Sequence, residues 1–174
     1  MNCRQLGVIC AALCVVMVGC SPVPRKYLRD AVPNATLTSL QSSPERYVNR
    51  LVVMGAVLLE EEHRNDGLWL HVKNRPLDQD LRPQLPPSAD DPEAGWYWIV
   101  VGNHQTFRTA REHWVDMTVV GRVAGITAGR EPVLNMVYVR GWGRQSANDG
   151  VWEELMDVNY IPYTPAEVKG ELGQ

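Results

Sequence analysis

Val115, Met117, Val119 and Val123 alternate along the chain with Asp116, Thr118, Val120 and Arg122. A repeat of two sends successive side chains to opposite faces, which is the geometry of a strand and not the 3.6-residue repeat of an amphipathic helix. Other segments follow the same rule. Leu68, Leu70 and Val72 alternate with Trp69, His71 and Lys73, predicting a half-buried strand. Leu51 to Leu59 is apolar on both faces apart from Gly55, which suits a buried strand that bends where a side chain is missing. Trp96 to Val101 and Val133 to Trp142 complete a set of five main strands. Asn65-Asp66-Gly67 and Asn148-Asp149-Gly150 are turn sequences, because Asp-Gly tolerates the positive φ of a tight hairpin.

Helix is a minor component. Leu37, Leu40, Tyr47 and Val48 predict short helix between Thr36 and Asn49, with Ser43 as a cap, and Pro44 at a first helical position forbids one continuous helix. A second helical turn is expected between Asn103 and Glu112. Four prolines between Pro83 and Pro92 exclude a sheet ladder and predict an exposed loop between the second and third strands. After Trp142 the pattern leaves strand, short helix and coil open. The expected fold is mainly β: a small, closed or partly open five-stranded barrel of the oligonucleotide/oligosaccharide-binding (OB) type with one or two short helices, or a β-sandwich. Val53-Met54-Gly55-Ala56-Val57 and Val119-Val120-Gly121-Arg122-Val123 echo one another, and their glycines suit sharp bends in such a barrel.

All four cysteines, Cys3, Cys10, Cys14 and Cys20, fall within the first twenty residues. Arg4 precedes an uncharged run from Leu6 to Val18, the length of a signal-peptide core and short of the ~20 residues that span a bilayer. Met17-Val18-Gly19-Cys20 resembles the lipobox of bacterial lipoproteins, which implies that Cys20 carries diacylglycerol through its sulfur and a further acyl chain on its amino group. Several chains at one residue hold a protein firmly, at about 0.8 kcal/mol per buried methylene. The same resemblance, with Ser21 and not Asp after the cysteine, implies the outer membrane. The chain then divides into a signal peptide (1–19), a lipidated cysteine and tether (20–35) and a β domain (36–174). Pro22 and Pro24 predict an extended tether, whose Arg25, Lys26 and Arg29 either lie on lipid phosphates or are solvated.

Charge narrows the partners. Seventeen Lys and Arg against twenty Asp and Glu leave a formal net charge of −3, without the cationic surface that nucleic-acid binding needs. His63, His71, His104 and His113 show no metal-ligand spacing, Glu60-Glu61-Glu62 reads as a solvated strand end, and no Gly-x-Ser-x-Gly nucleophile motif occurs. No cofactor or metal is expected.

Six Trp and six Tyr accompany a single Phe, a balance that favours half-exposed positions and binding faces. Trp96 and Trp98 share one strand face, either as a stacking surface or as core, and Tyr97 takes the other. Trp69 lies opposite the apolar face of its strand, as an exposed contact.

The lipobox ending in Cys20, Ser43-Pro44-Glu45-Arg46-Tyr47-Val48 before a valine-rich strand, Pro76-Leu77-Asp78 followed by Pro83, and Val119 to Gly125 together resemble the Slp family of starvation-inducible outer-membrane lipoproteins. Asn49 stands where that pattern closes with glycine. The resemblance implies a β-rich domain at the outer membrane and carries no catalytic residues. The leading expectation is a non-enzymatic, periplasm-facing lipoprotein, held in the membrane through Cys20, that binds an envelope protein or glycan or serves in envelope stress. A hydrolase with a polar site at His104, Arg108, Glu112 and His113, and a purely structural envelope protein, are the alternatives.

Overall fold

A computed structural model describes residues 21–155 other than 66, 87, 103, 108–113 and 145–148. Six strands form one sheet: β1 (Leu51–Arg64), β2 (Gly67–Arg75), β3 (Trp96–Val101), β4 (Asp116–Ile126), β5 (Pro132–Trp142) and β6 (Gly150–Glu153). The order is β3-β2-β1-β4-β5-β6, and a parallel pairing of β3 with β5 makes it ring-like through five strands. The mainly β expectation is met.

Alternation fills the ring. Val52, Met54 and Ala56 of β1, Leu70 and Val72 of β2, Tyr97 and Ile99 of β3, and Met117 and Val119 of β4 are all buried in one cluster. The two glycines of the repeated valine segment sit where chains crowd. A Cβ on Gly55 would stand 2.1 Å from the Arg75 carbonyl oxygen, and one on Gly121 would stand 2.9 Å from the Leu134 Cβ, beside a bulge in the β4–β5 pairing. Tyr97 donates its hydroxyl proton to the Gly55 carbonyl at 3.1 Å inside the ring.

Strand β1 runs five residues past Leu59, because Glu60 to Arg64 pair with Gly67 to His71 in an antiparallel hairpin. Asp66, in the expected turn, and Asn148, in the second one, lie outside the described residues, as does most of the expected turn between Asn103 and Glu112. The tail resolves into β6 as far as it is described, and its Trp152 is buried against Phe107, which also stacks on Trp114.

The short helix before β1 is α2 (Leu37–Ser42), followed by a 3₁₀ turn at Pro44–Arg46, so Pro44 divides the segment as expected. Ser43 stands at the N-cap of that 3₁₀ turn with Pro44 at its start, as expected, although its side chain makes no capping bond. Thr36 and Ser39 form a reciprocal capping box at the start of α2. Asn49 has φ 63°, in the left-handed region. Asparagine is the side chain that tolerates this conformation best after glycine, so it can stand where the family pattern has glycine.

The expected extended tether is a correction. Pro24 precedes a helix, α1 (Arg25–Asp30), and the segment is docked on the outer face of the sheet. Val23 is fully buried with Leu51, Val120 and Tyr138, a burial that stabilises by roughly 1.5–3 kcal/mol. Tyr138 donates to the Pro22 carbonyl at 2.8 Å, Lys26 and Tyr27 both reach the Glu153 carboxylate, and Ala31 bridges Leu51. Two prolines suggested an open chain, but Pro24 stands at a helix start, where a missing N–H costs nothing.

Glu93 ties the proline-rich loop to α2. Its carboxylate accepts from the Leu37 and Thr38 N–H groups at 2.8 and 2.9 Å and from Asn74 Nδ2 at 3.1 Å. Burial pushes the Glu93 carboxyl up, yet the bonds from Thr38, Leu37 and Thr36 outweigh it and hold the group below its ordinary value. A depressed carboxyl stabilises the fold above about pH 4.3, and this contribution is lost as pH falls through the lower folded value. Wild-type thermal stability is expected to fall over that acidic window, and Glu93→Gln is expected to be less stable at neutral pH with a shallower acid slope, as measured by calorimetry from pH 7 to 3.

Candidate functional site: an aromatic strip on β2 and β3

Since inward positions of β2 and β3 are taken by Leu68, Leu70, Val72, Tyr97, Ile99 and Val101, the intervening residues point outward. Trp69, His71 and Lys73 on β2 therefore lie beside Val100, Trp98 and Trp96 on β3. The three tryptophans singled out from the sequence share one outer face. The core-filling alternative for Trp96 and Trp98 is corrected: Trp96 is 47% exposed and Trp98 half-buried, while Tyr97, Trp114 and Trp152 fill the interior.

The strip is pre-organised. His71 stacks on its cross-strand partner Trp98 with centroids 4.4 Å apart and planes 17° from parallel, and Trp69 meets Trp98 edge-on at 6.0 Å. Arg64, at the end of β1, lays its guanidinium over both indoles, 4.1 Å from Trp69 and 4.8 Å from Trp98. Glu62 accepts from Arg64 Nε and Nη2 at 2.8 and 2.6 Å, fixing the cation in place. At the opposite edge Glu131, just before β5, brings a carboxylate oxygen to 3.2 Å from His71 Nε2, within ion-pair range but not aligned as a hydrogen bond. Arg64 and His71 occupy faces of Trp69 and Trp98, so the ring left most open to a planar or pyranose face is Trp96, with Arg64 and Glu131 offering charged groups along the strip. Sequence alternation found the tryptophans. Arg64 was missed because its placing depends on the β1–β2 hairpin register, which sets Glu62 opposite Trp69 and Arg64 opposite Gly67, and Glu131 because only the ring closure brings it alongside.

Cys20, Arg108, Glu112 and His113 lie outside the described residues. Of the polar group proposed for hydrolysis, only His104 is described, and it is exposed. Among the described residues no group of three or more His, Cys, Asp or Glu could hold a metal, and no helix is long and apolar enough to cross a membrane.

The fold and strip define a class, a small ring-like β domain presenting an aromatic outer surface. Within it, this chain matches the outer membrane lipoprotein Slp family over residues 17–167 and belongs to that family. That membership makes it a lipoprotein of the Gram-negative outer membrane. No curated protein and no solved structure matches it.

Arg64→Ala is expected to change the emission of the tryptophans while costing about 1 kcal/mol or less of stability, because the cation–π contact is partly exposed. Native-state fluorescence and urea unfolding of the variant read the two effects separately.

Proposed function

We propose that this protein is a non-enzymatic, periplasm-facing binding module, acylated at Cys20, that holds a glycan of the cell envelope on the β2–β3 strip. The observation that carries the reading is the outward cluster of Trp69, Trp96 and Trp98, stacked with His71 and braced by Arg64. Core residues have no reason to face water, and rings held in fixed mutual geometry lose little entropy on binding. OB-type domains use the outer face of their second and third strands for oligosaccharides and oligonucleotides. The net charge of −3 disfavours the latter. Acylation at Cys20 is supported by the lipobox residues 17–20, where the family match begins. A lipid anchor raises the local concentration of the strip near envelope ligands without adding a contact.

Two measurements test this. Labelled palmitate is expected to enter the wild-type chain and to be absent from Cys20→Ala. Trp98→Ala is expected to weaken cosedimentation with purified peptidoglycan sacculi by about 30-fold, as truncation of a central Trp anchor costs ~2 kcal/mol. Leu85→Ala, in the exposed loop, is expected to bind as wild type does. Equal sedimentation of wild type and Trp98→Ala, with unchanged circular dichroism, contradicts glycan binding on this face.

A further inference from the structure

The docked N-terminal segment leaves an open cavity of about 930 Å³ beside it, lined among others by Ser21, Leu81, Arg82, Arg140, Trp142 and Asp149. We propose that this cavity holds the headgroup of a zwitterionic phospholipid, one carrying a phosphodiester and an ammonium, from the membrane that receives the anchor. The proposal rests on acylation at Cys20, which is bonded to the cavity's own lining residue, Ser21.

Position comes first. One peptide unit spans 3.8 Å between consecutive Cα atoms. Val23 is fully buried and the Pro22 carbonyl is held by Tyr138, so no slack chain separates the anchor from the cavity. Acyl chains on Cys20 therefore hold the mouth in the headgroup layer.

The wall is built for phosphate. Arg82 lies over the face of Trp142, its guanidinium 4.4 Å from the ring centroid, and Arg140 lies 5.2 Å from the same ring. Stacking holds a guanidinium by its face and leaves its in-plane N–H donors available. Among the described residues no carboxylate is in ion-pair range of Arg82. Arg140 donates through Nη2 to Asp149 at 2.8 Å, but its buried Nε has no hydrogen-bond partner.

The loop presenting Arg82 is held under strain. Leu81 has φ 59°, a left-handed conformation that a bulky side chain avoids. Asp78 fixes the turn by accepting from the Asp80 and Arg82 N–H groups at 2.9 Å each and from Gln84 Nε2 at 2.9 Å. Thr118, which receives the Trp142 indole proton at 2.9 Å, donates to the Leu81 carbonyl at 2.6 Å. The Pro76-Leu77-Asp78…Pro83 motif thus aims an arginine and its stacking partner at one space. Charge selects the headgroup: Arg82 and Arg140 are balanced by Asp80 and Asp149, so a zwitterion leaves the site neutral, with exposed Asp80 placed to receive the ammonium.

Native mass spectrometry of the full-length protein, extracted from membranes in mild detergent and supplied with phosphatidylethanolamine, phosphatidylglycerol or inorganic phosphate, tests the proposal. Covalent mass reports acylation of Cys20, and non-covalent adducts report the cavity, so the two readings fail separately. Wild type is expected to carry one phosphatidylethanolamine in preference to phosphatidylglycerol. Arg82→Gln is expected to lose about tenfold in adduct population, the loss of one charge-assisted bond. Arg82 is exposed, so this variant keeps its fold, as an unchanged melting temperature would show. Trp69→Ala is expected to retain the adduct. An acylated wild type that binds only inorganic phosphate, prefers phosphatidylglycerol, or keeps its adduct in Arg82→Gln overturns the proposal.

Discussion

The parallel pairing of β3 with β5 is the contact on which the rest depends. It aligns Trp98, Ile99 and Val100 with Val133, Leu134 and Asn135 and turns an antiparallel sheet into a ring. A ring has one interior, and β3 must then divide its side chains between that interior and the outside. Tyr97, Ile99 and Val101 go in, which leaves Trp96 and Trp98 on the outer surface. The same closure carries Glu131, at the entry of β5, to the side of His71 on β2.

The outer surface carries two different specialisations. On β1, β4 and β5, Leu51, Val120 and Tyr138 are covered by Val23 and α1, so this side takes the N-terminal chain and the cavity next to it. On β2 and β3 the outer face instead carries Trp96, exposed, with Trp69 and Trp98 half-buried under Arg64. A domain clamped to its own anchor segment cannot turn freely about it. In the proposed account, one side therefore works at the lipid surface while the other is directed into the periplasm.

Much of this was legible in residue order, for a physical reason: alternation is local, and in a ring of strands it decides inside from outside. β2, β3, the outward placing of Trp69 and the shared face of Trp96 and Trp98 follow from it, whereas the side that shared face takes is set by ring closure. The docking of Ser21 to Ala35 was missed because its partners lie about twenty to over one hundred residues away, and because two prolines resemble a linker. A signal did exist in β4. Thr118 and Val120 occupy positions that the alternation assigns to solvent, yet both are fully buried. An apolar residue on a nominally polar face marks a strand covered on both sides, and Val120 is covered by Val23. The sixth strand stayed open among strand, short helix and coil for want of length, since four residues are too few for a period to appear. The cavity wall was invisible because Arg82, Arg140 and Trp142 come from a loop and a strand that meet only in three dimensions.

The claim that the anchor segment is clamped to the ring, and is not a free tether, is tested most directly by pulsed electron–electron resonance. Spin labels are placed at exposed positions in α1 and β5, through Arg25→Cys and Asn135→Cys, in the membrane-bound protein. A single narrow distance distribution is the result this account predicts. A broad distribution, with α1 sampling many separations from the sheet, would contradict it.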